Sequence, residues 1–132
     1  MVLSQRIKPN DLSPDATFGR GMFRNDTHLL IPASQSGATP AGAIYEYKWN
    51  GQAWVQFNKI LPEASFGNIR FNDFPGGFAV DNNIMVVGTF RYVFIYEYVG
   101  GVWVYTSKFD KNLPTNVVGV RGNTIVVGVK DR

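Results

Sequence analysis

Residues 43–54 read Ala43-Ile44-Tyr45-Glu46-Tyr47-Lys48-Trp49-Asn50-Gly51-Gln52-Ala53-Trp54, and residues 94–103 read Phe94-Ile95-Tyr96-Glu97-Tyr98-Val99-Gly100-Gly101-Val102-Trp103. One pattern is written twice: an alternating run around Tyr-Glu-Tyr, a turn, then Trp. Repetition constrains a fold more than composition does. A unit too small to bury its own apolar face is buried by stacking on its neighbours.

A further element occurs three times, each time as a turn followed by an apolar run. The runs are His28-Leu29-Leu30-Ile31-Pro32, Ile84-Met85-Val86-Val87-Gly88 and Thr124-Ile125-Val126-Val127-Gly128. Unbroken apolarity of this length predicts a strand buried on both faces. Tyr45, Tyr47 and Trp49 alternate with Ile44, Glu46 and Lys48, the period of a strand. Asn50-Gly51 and Gly100-Gly101 suit two-residue hairpin turns. Asn25-Asp26, Asp81-Asn82-Asn83 and Arg121-Gly122-Asn123 supply residues that tolerate positive φ. Each unit then reads as four strands: one ending at Met22-Phe23, Phe78–Val80 or Val117–Val120, the apolar run, the Tyr-Glu-Tyr strand, and a last strand opened by Trp54 or Trp103. No helical pattern competes, because Gly and Pro interrupt every window. Four antiparallel strands repeating at about 48 residues predict an all-β chain of β-propeller blades. The single domain divides into units at about 11–60, 61–110 and a partial 113–132, with an N-terminal strand at 2–8.

The matching residues Phe18-Gly19 and Phe66-Gly67, the run at 124–128, Gly42-Ala43-Ile44-Tyr45 and Trp49-Asn50-Gly51 before Trp54 resemble the FG-GAP class of propeller repeats, the integrin-α type. The resemblance implies a propeller and, in calcium-binding members, an Asp-rich loop. Asp81-Asn82-Asn83 is too short for such a loop and reads as a hairpin turn. No calcium is carried over, and the expectation is a protein without metal or cofactor.

The charged residues exclude little. Thirteen Lys+Arg against ten Asp+Glu leave a net charge of +3. The basic residues are dispersed, which argues against a nucleic-acid partner. There is no cysteine, hence no disulfide. The N-terminus lacks the apolar core of a signal peptide, and no apolar run is long enough to span a membrane. The expectation is a soluble chain, cytoplasmic by default.

Candidate chemistry is sparse. His28 is the only histidine and falls at a strand-face position, so no hydrolytic triad is expected and the chain reads as no enzyme. Glu46 and Glu97 hold one position in successive units, where they could line a channel or bind a sugar hydroxyl; pairing with a cation or solvation is the plainer role. Trp49, Trp54, Trp103, Tyr92 and Tyr105 could stack on sugar rings, against packing between blades. Asn25-Asp26-Thr27 matches a glycosylation sequon but reads as a turn. The function expected is a non-catalytic module for protein interaction or assembly; the alternative is a lectin-like carbohydrate binder.

The strand count gives an expectation about assembly. Two units of four strands, a final pair and the N-terminal strand make two blades and two unfinished ends. Propellers typically close with four to eight blades. A homodimer of six blades would join one copy's tail to the other's head, with Val2, Leu3, Ile7, Ile125 and Val127 at the interface.

Overall fold

The computed structural model describes residues 5–12, 17–19, 21–34, 42–61, 77–89, 92–110 and 115–129. Its regular elements are all strands: β1 (Thr17–Phe18), β2 (Phe23–Arg24), β3 (His28–Ser34), β4 (Ala43–Trp49), β5 (Trp54–Ile60), β6 (Phe78–Asp81), β7 (Ile84–Gly88), β8 (Tyr92–Val99), β9 (Val102–Asp110), β10 (Thr115–Arg121) and β11 (Thr124–Val129). The chain is therefore all-β, as its period-two runs predict.

The strands form two antiparallel meanders and a hairpin. In the first sheet β3 pairs with β4 and β4 with β5, while β1 and β2 lie end to end along the other side of β3. The second sheet runs β6-β7-β8-β9, and among the described residues β10-β11 forms a separate pair. Turn chemistry sets these registers. Val99 pairs with Val102 across Gly100-Gly101, whose φ values of 62° and 87° match the primed hairpin turn. Asp81 pairs with Ile84 across Asn82, the one non-glycine residue with positive φ (50°) among those described.

Two expectations are corrected here. Asn50-Gly51 is not a two-residue turn: Trp49 pairs with Trp54, leaving a loop of Asn50–Ala53. The Asn50 side chain stabilises that longer loop by accepting from the backbone N–H of Gln52 (2.9 Å) and Ala53 (2.8 Å). Nor do Gln5–Lys8 form a strand. The Gln5 carboxamide instead accepts from the Trp54 N–H and donates to the Trp54 C=O, both at 2.9 Å. One side-chain amide thus does locally what a neighbouring strand would do. Val2, Leu3 and Phe66-Gly67 lie outside the described residues.

Three apolar layers stack the sheets. Leu30, Ile44 and Ile60 of the first sheet pack on Met85, Val87, Phe94 and Tyr96 of the second. On the rear of the first sheet, Leu29, Ile31, Ala33, Ala43, Tyr45 and Tyr47 pack with Ile7, Leu12, Phe18 and Trp54. On the far side of the second sheet, Val86 and Val93 meet Val118, Val120, Ile125 and Val127 of the hairpin. This explains why residues 29–33 of β3 and 84–88 of β7 are apolar at every position: each strand contributes to a layer on both sides. Removing a side chain such as Phe94 or Leu30 from water contributes roughly 1.5–3 kcal/mol.

The strand count places Ile7, Ile125 and Val127 at an oligomer interface. All three are partly buried and also pack on layers of their own chain. The hairpin side chains that leave toward the open face are Val117 and Val126, 53% and 64% exposed.

Candidate functional site

The Tyr-Glu-Tyr motif occupies the same face relationship in both sheets. Tyr45 and Tyr47 point to the rear of the first sheet, and Glu46 joins Ile44 on the side of the second. In the second sheet Tyr96 packs back toward the first, whereas Glu97 lines the cleft before the hairpin. The tyrosines face backward along the stack and the glutamates forward.

Glu46 is fully buried, and among the described residues neither carboxyl oxygen makes a hydrogen bond of normal geometry. Burial pushes its pKa up, opposed by the Lys48 charge and by the neighbouring Trp103 and Asn58 side chains. Trp103 Nε1 is buried beside it, likewise without a hydrogen bond of normal geometry. Burial and the Glu46 charge together raise the Tyr98 pKa, burial being the larger cause. The Tyr98 hydroxyl lies 3.2 Å from His28 Nε2, and their rings meet edge to face at 5.5 Å. On the other side of the imidazole, Nδ1 is 2.8 Å from Thr27 Oγ1. Asn25 Oδ1 accepts from the backbone N–H of Thr27 and His28 and fixes that turn. The sequon residues thus serve as a turn in the fold, and the histidine as a half-buried strap between the sheets. His28 has its pKa lowered, first by burial and then by the Lys48 charge.

Glu97 meets no such partners. It is exposed and lines a cleft of about 260 Å³ with Ile95, Thr106, Ser107, Asn123 and Ile125. The structure therefore separates the two glutamates rather than arranging them in one ring: the first is capped by the next sheet and the second is open.

The five aromatic candidates do not form one platform. Trp49, 43% exposed, stands 5.4 Å from Trp54. Trp103 stands 5.1 Å from Tyr98. Tyr92 contacts Phe94 at 6.0 Å and the Lys108 ammonium at 4.7 Å. Tyr105 meets Tyr96 edge to face at 5.9 Å. Tyr92, Trp103 and Tyr105 all pack on the layer between the sheets, so only Trp49 offers much ring to solvent.

The strand expected at 2–8 gives no sign of the polar contacts that the N-terminal segment makes. Asp11 accepts from Tyr45 Oη (2.9 Å) and pairs with Lys59, tying that segment to the first sheet. Beside it a cleft of about 230 Å³ is lined by Gln5, Arg6, Lys8, Asn10, Tyr47 and Trp54, among others. The dispersed single charges of residues 6 and 8 carry no signal on their own. Among the described residues no cluster of three or more metal-ligating side chains occurs.

Compared with family models, with curated proteins and with solved structures, the chain matches none. Its functional reading rests on its own geometry.

Proposed function

We propose that this chain is a non-catalytic assembly module of propeller-type blades, which finishes its third sheet by pairing with a second copy. The observation that carries this reading is the edge of β11. Its counterparts β3 and β7 are each paired on both sides. Among the described residues β11 pairs only with β10. Among the described residues nothing pairs with its outer row of backbone donors and acceptors, next to exposed Val126, an edge that natural sheets rarely leave open. Two such edges related by a two-fold axis run antiparallel and give β10-β11-β11-β10, four strands, the width of the first two sheets. Such an interface uses the same patch on both copies and closes at a dimer. Because the two-fold stands across the sheet, this pairing extends the stack sideways and differs from the head-to-tail ring expected from the strand count.

Light scattering on the size-fractionated chain tests the reading. The expected mass is twice the 14.7 kDa of one chain, falling to a single chain on Val126→Lys, which places a solvated charge at the edge. A monodisperse monomer for the unsubstituted protein overturns it.

A further inference from the structure

The internal repeat places two interfaces one unit apart. Where the second sheet meets the first, the second sheet presents Tyr98 and Trp103, and the first inserts Glu46 beside them. The first sheet presents the equivalent pair, Tyr47 and Trp54, on its own rear face. There the cleft of about 230 Å³ stands in the place that a preceding unit's glutamate would fill.

We infer that this cleft, between Gln5–Asn10 and the Tyr47–Trp54 face of the first sheet, is a carboxylate-binding site. Three observations besides the repeat support it. The lining holds two cations, Arg6 and Lys8, and no acid. Exposure alternates along the segment, with Gln5, Ile7 and Pro9 turned in and Arg6 and Lys8 turned out, so both cations lie on one side of the segment. Finally, Tyr47 is only 5% exposed, yet its hydroxyl has no hydrogen-bond partner among the described residues. Buried polar groups are nearly always satisfied, and an orphan of this kind marks a missing partner. Its counterpart Tyr98 has one, in His28.

The chemistry of the lining selects the ligand. Guanidinium, ammonium, phenol and the carboxamides of Gln5, Asn10 and Gln56 are all able to donate. Burial pushes the Tyr47 pKa up to about 12, helped by Tyr45 and Asp11, so at neutral pH its hydroxyl keeps the proton to donate. Arg6 offers the planar fork that matches a carboxylate. A volume of about 230 Å³ is below the roughly 300–1,000 Å³ of drug-sized sites. It suits one small acid or one acidic side chain, not an oligosaccharide.

The test is a two-dimensional amide NMR titration of the full chain, following the Trp54 signals. The probes are N-acetylglutamate methylamide, its neutral glutamine isostere, and glutarate as a free acid. Saturable shifts with an acid probe and none with the glutamine probe are expected. Tyr47→Phe and Arg6→Gln should each weaken binding about tenfold or more, the scale for losing a hydrogen bond to a charged group. Arg6 is exposed, so its substitution leaves the fold intact even if Tyr47→Phe does not. Tighter binding of the acetylglutamate probe assigns a protein side chain as the natural ligand, and tighter binding of glutarate a free acid. Equal binding of the acid and amide probes, no saturation at about 10 mM, or affinity unchanged in Arg6→Gln each overturns the assignment.

Discussion

The Tyr98 hydroxyl of the second sheet reaches His28 Nε2 of the first at 3.2 Å. It is a polar strap across an interface that also holds the buried Glu46 carboxyl. Burial and Glu46 hold the Tyr98 pKa up, so the phenol donates and Nε2 accepts. The neutral Nδ1–H tautomer then donates to Thr27 Oγ1, and both ring nitrogens are satisfied. Tyr98→Phe removes one hydrogen bond and leaves the ring, at an expected cost of about 0.5–1.5 kcal/mol, read by urea unfolding at pH 7.5. The strap also gives a pH dependence. The folded state holds the His28 pKa below its ordinary 6.5, so the unfolded chain binds the proton more readily. Stability from this group is complete above pH 6.5 and falls as pH drops from there through the lowered folded pKa. His28→Gln should flatten that part of the profile; an unchanged profile would show that the imidazole does not titrate in the strap.

Glu46 acts with the opposite sign. Its folded pKa is raised above the ordinary 4.5, burial being the main cause, so the folded state binds the proton more readily. Its contribution is best below pH 4.5 and is lost as pH rises from 4.5 through the raised value. Glu46→Gln keeps the shape and removes the charge. It should stabilise the chain at pH 7, because it removes the charge that burial penalises, and the gain should shrink toward pH 4. Urea midpoints at the two pH values decide this, and a loss of stability at pH 7 would sink it.

Asp11 holds the N-terminal segment to the first sheet through Lys59 and Tyr45. Its pKa is lowered from 3.8, chiefly by the hydrogen bond from Lys59. Stability from this pair is present above pH 3.8 and disappears as pH falls below that through the lowered value. The carboxylate is half exposed, so Asp11→Asn should cost less than about 1 kcal/mol in global stability. Its larger effect should be local, as faster amide hydrogen exchange at Gln5–Asp11 and at Trp54. Unchanged exchange there would mean that the ion pair does not anchor the segment.

Much of the fold is legible in the sequence because strand period and turn residues act locally. Ile44, Glu46 and Lys48 against Tyr45 and Tyr47 specify two faces, and β4 forms where that pattern lies. Gly100-Gly101 reads correctly because positive φ at both residues leaves few other turns. Asn50-Gly51 reads wrongly because the Asn50 side chain bonds two N–H groups further on, a contact that the dipeptide alone does not reveal. Alternation also cannot say which face of a lone hairpin is covered: Ile125 and Val127 turn inward, and Val126 outward. The cleft at Tyr47 is less legible still. Gln5 meets Trp54 across a long stretch of chain, and only the path of the folded backbone brings Arg6 and Lys8 beside the tyrosine.

Two glycines of the stack respond to alanine in opposite directions. Gly101 sits at φ 87°, and a Cβ added there would meet nothing within 4 Å. The obstacle is the backbone itself, since a side chain in the left-handed region crowds its own carbonyl at a cost of roughly 1–2 kcal/mol. Gly101→Ala should therefore destabilise the β8–β9 hairpin by about that amount. Gly119 in β10 pairs with Val126, has no positive φ, and likewise leaves open space within 4 Å of an added Cβ. Alanine there fits without strain and narrows the unfolded ensemble, which should gain about 0.4–1 kcal/mol. The two variants bury almost nothing new, so packing does not confound the comparison. Urea unfolding of both at one protein concentration checks it. A midpoint that falls for Gly119→Ala as it does for Gly101→Ala would show that the outward face of β10 is already occupied, and by something closer than solvent.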